Sequence, residues 1–140
     1  MFKLIALITT ISLVSSALAA QNTPLPTIEG DWQLRVMDGY DVRKVRAILE
    51  FIPKKMHIAG FDACNRISGT LTQQPDGNYT SLVRATRMAC RGQSFIFVST
   101  RLHEALKGPF RLIPEKRYGI EGLTLKSRSH DLFFKRLGKQ

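Results

Sequence analysis

The chain contains few cysteines and no long hydrophobic stretch after its first 20 residues, and both shortages limit what it can be. A membrane-spanning helix needs roughly 20 consecutive apolar residues, so the sequence predicts no such helix beyond that point. The two cysteines, Cys64 and Cys90, do not form a C-x-x-C pair and have no metal-ligand spacing with a histidine. This disfavours a dithiol redox centre and a zinc site.

The sequence patterns of the common enzyme classes are also missing. The three histidines, His57, His103 and His130, lie far apart in the chain. There is no glycine-rich phosphate loop and no G-x-S-x-G motif. Acidic residues are scattered among basic ones, as in surface ion pairs: Glu104, Glu115, Glu121 and Asp131. The sequence therefore predicts a protein that is not an enzyme and that binds no cofactor or metal.

Acidic residues are outnumbered by basic ones, 11 to 21, which gives a formal net charge of +10. Such a balance favours an anionic partner, although charge can also serve only to keep a small protein soluble. Two stretches of the sequence concentrate the positive charge and form a candidate anion-contacting patch: Arg43, Lys44, Arg46, Arg84, Arg87 and Arg91. Ordinary solvated loops are the alternative interpretation of both stretches.

Residues 1–19 are typical of a signal peptide. Lys3 provides the positive charge, residues 4–14 are mostly apolar, and Ala17-Leu18-Ala19 fits a small-x-small cleavage site. The alternative, a membrane anchor, would need a longer apolar run. We expect the exported chain to start at Ala20 or Gln21, without a cysteine that could carry a lipid.

Export determines which partners are available. The protein is predicted to be periplasmic or secreted and, as a monomer, to meet envelope proteins or anionic envelope surfaces rather than nucleic acid. In an exported chain two cysteines most simply form one disulfide, which would stabilise the fold by roughly 3 to 4 kcal/mol. Two buried free thiols or a redox pair are the alternatives.

Pro24 and Pro26 predict an extended leader at residues 20–29. Hydrophobic periodicity then predicts one domain at residues 30–138 that is built mainly of strands. Strands are expected at residues 31–36, 47–52, 55–59, 67–73, 79–84, 109–113, 118–120, 123–127 and 131–137. Residues 53 and 54 alone are expected to connect the second strand to the third, and residues 40–46 to form a loop.

A hairpin turn and a helix are the clearest local signals. Pro75-Asp76-Gly77 predicts a tight turn, and the hairpin around it carries the chain from Cys64 back towards Cys90, which supports their pairing. Apolar residues recur at three- and four-residue steps over residues 94–107, which predicts a helix capped by Ser94, with His103 and an Arg101–Glu104 pair facing outward.

These elements predict an α+β fold: a highly curved antiparallel sheet or partial barrel of about eight strands, with one helix (about residues 94–107) against one side or closing an end. Phe133 and Phe134 are adjacent and cannot share one face of a strand. One of them is expected outside the main core, under the helix.

Several motifs together resemble the META domain family, which includes heat-inducible HslJ-type envelope proteins. They are Gly30-x-Trp32-x-Leu34, Cys64-Asn65-Arg66-Ile67-Ser68-Gly69, Thr86-Arg87-Met88-Ala89-Cys90 and, after the helix, Ile120-x-Gly122-Leu123-x-Leu125. Within them we interpret Trp32, Asn65, Gly69, Thr86, Arg87 and Met88 as structural residues. The chain departs from the family pattern at Ala63, where glycine is usual, and in lacking an acidic residue near the helix start.

The resemblance implies a compact, β-rich, non-enzymatic envelope protein, a binding or scaffold module in stress response, antibiotic tolerance or secretion. An alternative is a carrier of lipid or another small hydrophobe, similar to a secretin pilot protein, with Phe95, Phe97, Phe133 and Phe134 as the apolar surplus. A periplasmic inhibitor of a lysozyme-like enzyme is a third possibility, which the positive charge disfavours because lysozymes are commonly basic.

Overall fold

The computed structural model describes residues 28–138. The predicted signal peptide and most of the predicted leader lie outside this range. Nine strands and one helix follow one another in the order β1 (Gly30–Met37), β2 (Tyr40–Asp41), β3 (Ala47–Ile52), β4 (His57–Asp62), β5 (Arg66–Gln73), β6 (Tyr79–Ala85), α1 (Gln93–Lys107), β7 (Phe110–Arg117), β8 (Ile120–Ser127) and β9 (Asp131–Arg136). The last two residues predicted as leader are described, and Ile28 is buried in the core.

The strands form one antiparallel sheet that curves into a ring. Neighbours follow chain order from β3 to β9, β1 lies between β2 and β3, and β1 also pairs with β9, from Trp32 opposite Arg136 to Met37 opposite Leu132. The connection between β6 and β7 is the weakest, because only Tyr79 and Phe110 pair there. The predicted class, α+β with a highly curved antiparallel sheet, is confirmed.

The ring has two distinct ends. One end contains the first residue of β3, Ala47, which lies opposite the last residue of β4, Asp62. Strand β1 is antiparallel to β3, so its last residue lies at the same end. Helix α1 lies across this end, since its side chains bond to residues that directly follow β1, finish β4 and precede β9. We call it the helix end, and the opposite one, with the Pro53–Lys55 turn between β3 and β4, the far end.

The interior of the ring is filled by apolar side chains. Alternate residues of the strands point inward, and Leu34, Leu49, Ile58, Leu123 and Leu125 are completely buried. One face of α1 adds Val98, Leu102, Ala105 and Leu106 to the same core. Burying a side chain of this size contributes roughly 1.5 to 3 kcal/mol, so the ring and helix stabilise each other.

Several element boundaries differ from the sequence-based expectation. Residues 118–120 do not form a separate strand; Tyr118 and Gly119 have φ angles of 54° and 73° and make the turn between β7 and β8, which begins at Ile120. The strand expected to end at residue 113 continues through Pro114, which is tolerated because β7 pairs with β6 only at Phe110 and no other described strand uses that edge. Tyr40–Asp41 forms the short strand β2 rather than loop.

The turn between β3 and β4 is longer than the two residues expected. Pro53–Lys55 forms a single 3-10 turn, Met56 follows in the left-handed region with φ of 47°, and β4 starts only at His57. The helix also begins differently. Its N-cap is Gly92, at φ of 99°, and no side chain caps it, so the prediction that Ser94 is the cap is wrong.

Phe133 and Phe134 occupy opposite faces of β9, as their adjacency requires. Phe134 lies in the core opposite Leu34. Phe133 is equally buried on the outer face, where Tyr118 covers it edge-on with ring centroids 5.7 Å apart. The outer residue therefore packs under the β7–β8 turn and Gly122, not under the helix.

Candidate functional site

A disulfide and a set of hydrogen bonds join two loops at the helix end of the ring. Cys64, in the β4–β5 loop, is bonded to Cys90, in the β6–α1 loop, and their Cα atoms are 4.8 Å apart, a normal separation for a disulfide. We call residues 62–66 and 86–90 the cysteine clasp. A disulfide of this kind fits an extracytoplasmic location.

Asn65 connects the two halves of the clasp. Its Oδ1 accepts hydrogen bonds from the Met88 N–H at 2.6 Å and the Thr86 hydroxyl at 3.1 Å, and the Thr86 oxygen in turn accepts the Arg66 N–H at 3.2 Å. Gly69 follows on β5, where a Cβ would overlap the Leu82 carbonyl oxygen. These contacts are structural, and the side chains of Arg87 and Met88 remain exposed.

Asp62 is the centre of the clasp, and the sequence offered no signal for it. It is 1 % exposed and accepts the N–H groups of Cys64 at 2.8 Å and Asn65 at 2.6 Å. His103 of α1 contributes a third contact, Nε2 to Oδ2, at 2.6 Å. Burial opposes ionisation of Asp62, but these hydrogen bonds, that of His103 above all, hold its pKa below the usual value.

A second, part-buried network ties α1 to the turns after β1 and before β9. Asp38 Oδ2 accepts from Arg101 Nη1 at 2.8 Å and lies 2.7 Å from His130 Nδ1, while its Oδ1 accepts the Asp131 N–H. His130 Nε2 lies 2.6 Å from Glu104 Oε2. Arg101, His103 and Glu104 thus face the ring, and the expected Arg101–Glu104 pair is replaced by bonds to other elements.

The protonation of this network follows from its contacts. Burial disfavours the charged imidazolium of His130, but hydrogen bonds to the Asp38 and Glu104 carboxylates outweigh burial and raise its pKa. The pKa of Asp38 is lowered against the effect of its own burial, by the Asp131 N–H, His130 and Arg101. Both imidazole nitrogens are engaged with carboxylates, so His130 has no nitrogen available to a substrate.

An open groove of about 950 Å³ lies beside the first turn of α1. Residues 40–45 form one side, and Gln93, Ser94 and Phe97 form the other. We call it the basic groove. Tyr40 meets Phe97 edge-on at 5.5 Å between ring centroids, and the Arg101 guanidinium lies 4.0 Å above the Phe97 ring.

The groove gathers part of the predicted anion-contacting patch. Arg43 and Lys44 line it, Arg46 is exposed on the same loop, and Arg91 lies two residues before Gln93. Arg43 is paired with Asp41 at 2.8 Å, and both side chains are exposed. Arg84, on β6, and Arg87, in the clasp, are exposed but do not line the groove. No acidic residue lies in the first turn of α1.

Residues 28–138 contain neither a cluster of metal-ligating side chains nor a helix that could span a membrane. Within that range no three histidine, cysteine or acidic side chains converge on a point where they could hold a metal ion. Over the same residues, no helix combines the length and apolar character needed to cross a bilayer.

Comparison with known proteins gives one family and one related fold. The model of the META domain family matches residues 24–138. The solved structures include an NMR structure of a protein from Burkholderia xenovorans that resembles this chain with a TM-score of 0.62 and 22 % identity, over 81 % of this chain and 86 % of that one. At that identity the likeness concerns the fold alone. No curated protein matches the chain significantly.

Proposed function

Since this chain belongs to the META domain family, we propose that it is a non-enzymatic binding module of the cell envelope and that the basic groove is its contact surface. The observation that carries the proposal is the charge of the groove and its rim. Lys44, Arg46 and Arg91 are exposed, and none of them is paired with a carboxylate within residues 28–138. Cations left in this way attract an anionic partner.

The contacts of the histidines support a non-enzymatic role. His130 bridges two carboxylates and His103 is bonded to buried Asp62, so both act in holding α1 on the ring. The filled interior of the ring gives no support to a carrier that holds lipid inside. The process served would be the one that the family resemblance implies: stress response, antibiotic tolerance or secretion.

Retention of envelope material by the immobilised, exported protein tests the proposal. The groove variant Lys44→Gln/Arg46→Gln/Arg91→Gln removes three charges at the helix end. The control variant Lys54→Gln/Lys55→Gln/Lys116→Gln removes three charges from exposed lysines at the far end. We expect the groove variant to retain several-fold less material than wild type and the control variant to behave like wild type. Salt should weaken retention, since exposed charges are screened within about 10 Å at 0.1 M ionic strength.

Two results would contradict the proposal. One is an equal loss of binding in the groove and control variants, which would show that net charge, and not the groove, determines retention. The other is no retention at low salt by the wild-type protein.

A further inference from the structure

Exposed apolar side chains adjoin the unpaired cations of the basic groove. Tyr40 is 60 % exposed at the groove edge, and Ile96 is 49 % exposed on the first turn of α1. Phe97 joins them into one surface, because it contacts Tyr40 and lies with Ile96 along a second pocket beside the helix. Exposed apolar residues on soluble proteins are commonly scattered singly, whereas here a tyrosine and an isoleucine are connected by a phenylalanine into one candidate contact surface.

The carboxylates near this surface are already paired within the protein. Asp41 is bonded to Arg43, Asp38 to Arg101 and His130, and Glu104 to His130. Their charges are therefore largely balanced locally. What remains is the positive charge of Lys44, which lines the groove, and of Arg46 and Arg91, which lie one and two residues along the chain from lining residues. The surface therefore presents exposed apolar side chains with unpaired cations beside the groove.

We propose that the basic groove and the adjacent Tyr40 and Ile96 dock on an anionic lipid bilayer, with these two side chains inserted at the level of the headgroups. This inference rests on the proposed function and names its partner. Aromatic and aliphatic residues beside lysine and arginine are the usual composition of protein surfaces that lie on membranes.

A lipid surface fits this face better than an extended peptide does. Strand β2, which borders the groove, is only two residues long, so it offers too short an edge for a peptide to add as a further strand. A bilayer needs no backbone pairing. Each cation that lies near anionic headgroups increases the affinity of the protein for the bilayer by about fivefold.

Sedimentation of the exported protein with lipid vesicles tests the electrostatic part. The vesicles contain phosphatidylcholine either alone or in equal mixture with phosphatidylglycerol. We expect wild type to bind only the mixed vesicles. The Lys44→Gln/Arg46→Gln/Arg91→Gln variant should bind them about a hundredfold more weakly, and the control variant Lys54→Gln/Lys55→Gln/Lys116→Gln should bind them as wild type does.

Matched substitutions test the apolar part. Tyr40→Asn is compared with Tyr118→Asn, since Tyr118 is 61 % exposed, lies on the outer face of β9 away from the groove lining, and also meets a phenylalanine edge-on. Ile96→Gln is compared with Leu82→Gln, because Leu82 is 80 % exposed on β6 and does not line the groove. We expect the groove substitutions to weaken binding about tenfold and the controls to leave it unchanged. Unchanged thermal unfolding shows that each variant is folded.

Insertion has its own readout. The tryptophan introduced by Tyr40→Trp should shift its emission to the blue on mixed vesicles and be quenched by brominated lipid. Wild type should show no quenching, because its single tryptophan, Trp32, is 3 % exposed and lies at the far end.

The outcomes separate the two proposals. Two results overturn insertion. One is binding of the Tyr40→Trp variant to mixed vesicles without quenching by brominated lipid, and the other is vesicle binding that neither Tyr40→Asn nor Ile96→Gln weakens. No binding to mixed vesicles, together with groove-dependent retention of an envelope protein, overturns the lipid assignment and leaves the binding function standing. Failure of both assays overturns both.

Discussion

Asp62 is the residue on which both the cysteine clasp and the position of α1 depend. It is buried and accepts two backbone N–H groups and His103. We predict that Asp62→Ala lowers the free energy of unfolding by about 3 kcal/mol, because the partners lose charge-assisted hydrogen bonds and two backbone donors lose their acceptor. Urea denaturation measures it. The control is Asp76→Ala, which removes a similar backbone bond, to Asn78, at an exposed turn and should cost about 1 kcal/mol or less. Equal losses would contradict the prediction.

His130 makes stability depend on pH in a specific direction. Its folded-state pKa is raised above the reference value of 6.5, so its contribution is fully present below that pH and is lost as pH rises through the folded-state pKa. The facing groups are Asp38, Glu104 and Arg101. The Asp38 contribution has the opposite sign: it is present above the reference value of 3.8 and is lost as pH falls through the lowered pKa.

We therefore predict that His130→Gln costs about 2 kcal/mol at pH 6 and progressively less as pH rises above 6.5. Thermal unfolding followed from pH 6 to pH 9 measures the difference between the two proteins. His57→Gln provides a control, since His57 is part of neither network. A cost that stays constant across this range would show that His130 contributes through packing rather than through its charge.

At the scale of elements, the edge of β7 explains a proline within a strand. Within residues 28–138 no strand pairs with this edge beyond Phe110, and Pro114 withholds an N–H from it, which disfavours pairing with another chain there. We predict that Pro114→Val produces dimers or larger assemblies, detectable by light scattering during gel filtration. Pro75→Val, in an exposed turn between β5 and β6, is the control and should leave the molecular mass unchanged. If Pro114→Val ran at the same mass as wild type, the edge would be protected by other means.

Local sequence patterns predicted the elements far better than the contacts between them. The turn at Pro75-Asp76-Gly77 forms as expected, with the Asp76 carboxylate accepting the Asn78 N–H at 2.9 Å and Gly77 at φ of 88°. The motifs that resemble the META domain family include both cysteines of the cysteine clasp. Asp38, Glu104 and His130, however, come from three elements, and no local period relates them. Their meeting depends on the closure of β1 on β9 and on the crossing of α1, which are non-local properties of the ring.

At the scale of the molecule, the helix end of the ring carries two sets of charged residues. One set is paired within the fold and stabilises it, and the other remains unpaired and is available for binding. The buried carboxylate of Asp62 and the part-buried carboxylate of Asp38 hold α1 in place, and their positive partners are used within the fold. The cations left over lie on the loops that α1 and the clasp position. The candidate patch was therefore only partly predictable: charge in the sequence indicates where cations occur, and the fold decides which of them remain unpaired.

The disulfide supports this arrangement because the loop before α1 has few other anchors. Cys64 and Cys90 close a segment with a sequence separation of 26, for which chain entropy gives about 3.5 kcal/mol of stabilisation. We predict that Cys64→Ala/Cys90→Ala unfolds roughly 10 to 20 °C below wild type and that wild type treated with a reductant behaves alike. Thiol titration of the unfolded, unreduced wild-type protein should find no free sulfhydryl. Two titratable thiols, or an unfolding temperature that neither the double substitution nor reduction changes, would show that Asn65 and Asp62 hold the clasp without the covalent bond.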